Sequence, residues 1–154
     1  MKIASAFLMC VICIQLFACG KINEIEQTNN SIDNSNIDTV KMKITIGPAV
    51  FTATLNNNAT ATAFKAMLPL TINMGELNGN EKFYYFSTTL PANASTGGKI
   101  QVGDLMLYGN NCLVLFYKGF NTSYSYTRLG RIDNTAGFVA ALGAGSVTVK
   151  FEIN

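Results

Sequence analysis

The chain has 154 residues, 49% of them apolar and only 13% charged, with a net charge of +2 and its Lys and Arg scattered. That is enough for one domain with a real core, and it excludes disordered and polyelectrolyte-binding compositions. No basic stripe is available to neutralise phosphates, so nucleic acid is not an expected partner.

Lys2 is followed by the apolar run "IASAFLMCVICI" and then by "QLFAC". A charged start, a short apolar segment and a small residue before the break predict a secretory signal rather than a membrane span. Leu16-Phe17-Ala18-Cys19, with Gly20 after it, resembles the lipobox of bacterial lipoproteins. The resemblance implies a signal over residues 1–18, cleavage before Cys19 and lipidation of its sulfur. It also implies a place in the bacterial cell envelope, on the periplasmic or surface side of the outer membrane, held through the lipid alone. Cys10 and Cys13 would leave with the signal, so Cys112 is the one cysteine of the folded part and no internal disulfide is expected. Residues 19–40, rich in Asn, Ser and Asp, predict a flexible tether with a coil span on the order of 25 Å. Asp38-Thr39-Val40 resembles an O-glycan acceptor of Bacteroides-type bacteria, which would put a sugar on Thr39.

From residue 41 the hydrophobic period changes to two. "KMKITIG" and "VFTATLN" predict a pair of strands joined at Gly47-Pro48. Asn58 is placed to cap a short helix whose Ala61, Phe64, Met67 and Leu68 share one face, and Pro69 ends it. Strands resume with "LTINMGEL", a turn at Asn78-Gly79, and "KFYYFST". "PANASTGG", Pro91 to Gly98, predicts a surface loop. "DLMLYG" and "CLVLFYK" flank a tight turn at Asn110-Asn111, and "SYSYTRLGRI" is a further strand. A brief helix capped near Asn134 precedes a final strand, "SVTVKFEI", with Val147, Val149, Phe151 and Ile153 facing inward. About eight antiparallel strands of this length close into a barrel, which removes exposed edges, and two short helices can cap its ends. The expected fold is therefore mainly β.

This order resembles the cyclophilin barrel over residues 41–154. Leu129-Gly130-Arg131-Ile132, then "AGFVAAL" and a last alternating strand, are similar to the end of that fold. "GDLMLYGNNCLVLFY" is similar to the hairpin that carries part of the cyclophilin active-site wall. "LPLTINMGELNGNEKFYYF" and "SYTRLGRID" are similar to small bacterial cyclophilin-like domains found in exported proteins and beside flavodoxin-like domains. The resemblance implies a closed cyclophilin-like antiparallel β-barrel with two short capping helices. It also implies a groove, in cyclophilins one of Phe, Gln, Met, Trp and His, in which an arginine lowers the prolyl isomerisation barrier of about 20 kcal/mol. Tyr85 stands at the position of that arginine and Tyr126 at that of the histidine, and the chain contains no histidine and no tryptophan.

The residues themselves leave two readings of "SYSYTRLGRID". Tyr124, Tyr126 and Arg128 alternate and so share one strand face. That face either binds a ligand, through flat amphipathic tyrosines and a stacking guanidinium, or is a ladder of polar aromatics that merely covers the sheet. The ligand-groove candidates are Tyr85, Phe116, Phe120, Tyr124, Tyr126 and Arg128. Arg131 is expected to be a solvated surface charge, and Asp104, Asp133, Glu76 and Glu81 to be solvated or capping groups at turns and strand ends. Cys112 begins an apolar run, where an inert buried thiol is expected, and no Cys–His pair can form without histidine. A phosphate loop, a Cys/His metal cluster and a Gly-x-Ser-x-Gly elbow are all missing from the sequence, so neither cofactor nor metal is expected. The leading expectation is a membrane-anchored, non-catalytic module that takes a peptide segment or small apolar ligand. The alternative is a weak peptidyl-prolyl isomerase with Arg128 as substitute cation. A third reading, a module tied to a flavodoxin-like redox partner, rests only on the neighbours of similar domains.

Overall fold

Alternation of apolar and polar residues turns the start of the domain into a hairpin, β1 (Lys41–Ile46) and β2 (Ala49–Leu55). Met42, Ile44 and Ile46 of β1 are buried together with Phe51, Ala53 and Leu55 of β2, all from one face of the pleat. The computed structural model describes residues 39–154; the proposed signal, Cys19 and most of the tether lie outside the described residues. Helix α1 (Ala59–Lys65) starts where expected, because the Asn58 side chain accepts a hydrogen bond from the Ala61 amide at 2.8 Å. It is shorter than its apolar pattern suggests, and Met67 and Leu68 pack against the core from beyond its end.

The strands β3 (Leu70–Leu77), β4 (Glu81–Tyr85), β5 (Ser95–Ile100), β6 (Asp104–Tyr108), β7 (Cys112–Phe116) and β8 (Phe120–Ile132) follow. Helix α2 (Phe138–Leu142) and strand β9 (Val147–Ile153) complete the chain. Hydrogen-bonded neighbours run β2-β1-β9-β3-β4-β7-β6-β8, and β2 pairs back onto β8 through Ala53–Ile132, Thr54–Arg131 and Leu55–Gly130. Eight antiparallel strands thus form a ring of pairings, with β5 added to β8 outside it. The ring meets at Gly130, where a Cβ would collide with the Thr54 carbonyl oxygen. Both helices send apolar side chains inside: Ala61 and Phe64 from α1, Phe138 and Leu142 from α2.

"DLMLY" and "CLVLF" are unbroken apolar runs because both of their faces are covered. Leu105, Leu107, Leu113 and Leu115 face the interior of the ring. Met106, Cys112, Val114 and Phe116 face the other way, in a second cluster with Ile100 and Tyr126. The cover on that outer side corrects the expected loop at Pro91–Gly98. Ser95–Ile100 is instead strand β5, paired with β8 from Ser95–Tyr126 to Ile100–Phe120. Strand β8 starts at Phe120, three residues earlier than its sequence suggests, and its extended backbone offers pairing that overrides the poor strand propensity of Ser95, Gly97 and Gly98. Gly97 fits this approach, since a Cβ there would meet the Thr122 methyl and the Tyr126 ring.

Two smaller corrections concern the C-terminal part. Helix α2 is entered through Gly137 at φ 76°, without a side-chain cap; Asn134 instead accepts from the Ala136 amide in the preceding turn. Ile153 shares the inward face with its register partner Met42, but as the last residue of β9 it lies at the rim and is exposed.

Candidate functional site

The outer face of β4, β7, β6 and β8 carries the site. Strand register sets its floor as cross-strand rows: Tyr85 is opposite Cys112, Cys112 opposite Tyr108, and Tyr108 opposite Tyr126. In the next row Phe83 is opposite Val114 and Val114 opposite Met106. The β3–β4 turn and β4 form one wall, with Leu77, Asn78, Asn80 and Glu81; the first half of β8, Phe120 to Tyr124, forms another. The groove between them has a volume of about 580 Å³, within the range of small-ligand sites.

Aromatic rings dominate it. Tyr108 lies 6.2 Å from Tyr124 and 5.5 Å from Tyr126, measured between ring centroids, and Phe83 lies 5.8 Å from Tyr85. Phe116 stacks edge-on against both Phe120 and Tyr126, at 5.6 and 5.5 Å. All but the tilted Tyr108–Tyr126 pair are edge-to-face, a geometry that fixes the rings relative to one another. Tyr85, Tyr108 and Tyr124 nevertheless keep 59%, 43% and 64% of their surface exposed, more than a closed core face leaves open.

Of the candidates named from sequence, Tyr85, Phe120, Tyr124 and Tyr126 line this groove. Phe116 does not: it is fully buried and supports Phe120 and Tyr126 from below. Arg128 does not line it either. Its guanidinium donates to the Gly97 carbonyl at 3.1 Å and approaches the Asp104 carboxylate at 3.5 Å, while its carbonyl accepts from the Asn56 and Asn58 side chains. Arg131 pairs with the same Asp104 and donates to Gln101 at 2.7 Å, so it is a partnered surface charge rather than a free one. Asp104 is itself buried beneath both arginines rather than solvated, but it has the expected capping role, accepting from the Gln101 amide at 2.9 Å in the turn between β5 and β6.

The groove is polar only through amides, hydroxyls and one acid. Glu81 is 8% exposed, and burial together with the nearby Glu76 carboxylate pushes its pKa up. Its expected role as a solvated strand-end charge is therefore corrected. Burial also pushes up the Cys112 thiol, although a Tyr85 contact draws it partly back, and the groove offers no thiolate nucleophile at neutral pH. Tyr126 is pushed up to about 12, by burial first and then by Glu81, so its hydroxyl stays protonated and able to donate. The lining contains no arginine and no histidine.

A family model described as the Cyclophilin-like family matches residues 44–152. The chain belongs to the cyclophilin-like family. No curated protein and no solved structure matches it. In this cyclophilin-like domain, Glu81, Phe83, Tyr108 and Asn80 are groove residues that the sequence reading missed. Glu81, Phe83 and Tyr85 alternate in "EKFYY", so an acid sharing a strand face with two aromatics was a signal already present in the sequence. Tyr108 carried no comparable signal, because only the register of β6 with β8 sets it between Tyr124 and Tyr126.

Proposed function

We propose that the eight-strand ring is a cyclophilin-like barrel acting as a binding module without prolyl isomerase activity, its aromatic groove taking a peptide segment or small apolar ligand. The observation that carries this reading is an open groove walled by exposed tyrosines whose lining lacks any cation. Polarising a prolyl amide needs a fixed positive charge directed at the substrate. Arg128, the one candidate for that role, is committed to Asp104 and Gly97.

The test uses a blocked Ala-Ala-Pro-Phe peptide followed by NMR. The expected result is a set of shifts confined to groove residues, no acceleration of prolyl exchange, and binding weakened by about 1–3 kcal/mol in Tyr124→Ala. Acceleration of exchange, or binding indifferent to Tyr124, would overturn the proposal.

The proposal extends to the anchor: a lipid on Cys19 would hold the domain at the cell envelope, supported by the "LFACG" stretch and the residues that follow it. Cys19→Ser is expected to move the protein from the detergent phase to the aqueous phase without changing its melting temperature. Equal partitioning of variant and wild type would sink the anchor.

A further inference from the structure

Every other carboxylate side chain among the described residues has a cation: Glu76 has Lys82, Asp104 has Arg128 and Arg131, Asp133 has Lys41, and Glu152 has Lys43 and Lys150. Glu81 has none, although it is more buried than Glu152 or Asp133 and sits in the groove wall. Beside it, the Asn80 side-chain oxygen is buried and accepts no hydrogen bond. A buried acceptor without a partner and a carboxylate without a cation, open to the groove, therefore meet at the β3–β4 end of an aromatic groove. An unpaired buried carboxylate is costly, and a hydroxyl-bearing ligand would satisfy hydrogen bonds but leave the charge uncompensated.

The groups facing Glu81 do not supply the missing cation. Glu76 on β3 is an acid already paired to Lys82, and Cys112 on β7 and Tyr126 on β8 are neutral. Lys118, in the connection between β7 and β8, has its ammonium near Gly79 of the β3–β4 turn but forms no ion pair with Glu81. The tyrosine faces complete a surface suited to a cation on an apolar stem.

The backbone alongside favours a peptide as the carrier. Residues Phe120 to Ser125 of β8 pair with β5 on one side, but on the other side pairing begins only at Tyr126, opposite Tyr108. That free strand edge borders the groove and presents main-chain groups to an extended segment.

We infer that the groove recognises a lysine or arginine side chain on an extended peptide, its cationic head held by Glu81 and Asn80 and its stem laid across the tyrosines. This inference rests on the binding-groove reading above and names its ligand class.

The experiment is an NMR titration of the full chain with blocked pentapeptides Gly-Gly-Xaa-Gly-Gly, in which the central residue is lysine, arginine or norleucine. At low salt the two basic peptides are expected to bind at least about tenfold more tightly than the norleucine peptide, and added salt should shrink that preference. In Glu81→Gln the lysine peptide should fall to the level of the norleucine peptide, in a chain whose melting temperature is not lowered. Equal affinity of wild type for lysine and norleucine, with both weakened by Tyr124→Ala, would overturn the cation assignment and leave the groove standing. A lysine preference that survives Glu81→Gln would overturn the role of Glu81. Binding of none of the peptides, or binding untouched by Tyr124→Ala, would overturn the groove reading and this inference together.

Discussion

Lys82 and Glu81 are adjacent on β4 and point to opposite faces of the same strand, and their fates differ. The Lys82 side chain is fully buried inside, where its ammonium donates to Glu76 at 2.6 Å and to the carbonyls of Gly145 and Gly143 at 2.6 and 3.2 Å. Glu76 also accepts from the Tyr117 hydroxyl and the Gly79 amide. Burial raises the Glu76 pKa, but the Lys82 ammonium, the Tyr117 hydroxyl and the Gly79 amide outweigh it, so the net shift is downward. The same carboxylate holds the Tyr117 phenol protonated, which together with burial pushes it up to about 12. On the outer face, Glu81 has burial and a like charge acting on it with no ammonium to oppose them, and its shift is upward. The comparison separates two kinds of buried charge. A network whose donors and acceptors are all matched holds elements together, here β3, β4 and the chain after α2. A charge left unmatched in a groove destabilises the free domain and is compensated only from outside.

The largest expected effect breaks the inner side. Lys82→Met should cost about 3 kcal/mol in chemical denaturation, because it leaves Glu76 and two carbonyls without their donor. The sign of its pH dependence follows from Glu76. A depressed pKa contributes stability above the ordinary glutamate value of 4.5 that is lost as pH falls through the folded-state value. Wild type should therefore lose stability in that acid window, and Lys82→Met should lose less. Equal stability of variant and wild type at pH 7 would show that the inner network contributes nothing, and the comparison would fail.

A smaller and opposite effect sharpens the outer side. Glu81→Gln should stabilise the unliganded domain by on the order of 1 kcal/mol at pH 7, since it removes an unpaired charge and keeps the side chain's shape. A raised pKa disfavours the folded state above that pKa and has no effect below the unfolded-state value, so the advantage should vanish as pH falls below about 4.5. Thermal melts of both proteins at pH 7 and pH 4 decide it. A destabilised variant at pH 7 would mean that Glu81 has a partner within the folded chain.

Much of the architecture is legible in the residues, because side chains that alternate along a strand must alternate between core and solvent. The hairpin at Gly47-Pro48, the Asn58-capped helix, the turn at Asn78-Gly79 and the closing strand all follow from local pattern and turn chemistry. The tyrosines of β8 are legible as one face for the same reason. Strand β5 is not, since one strand-favouring residue, Thr96, stands among Ser95, Gly97 and Gly98, and the segment extends because β8 is there to pair with. Nor is the division of labour between charges. Arg128 shares the strand face of Tyr124 and Tyr126, yet the β-bulge between Leu105 and Met106 and the nearness of Asp104 and Gly97 take its guanidinium out of the groove. Glu81 reads as an ordinary strand-end acid until register sets it opposite Phe116. Period and propensity are properties of neighbours in sequence, whereas the partner of a charge and the walls of a groove depend on which distant strands come to lie side by side.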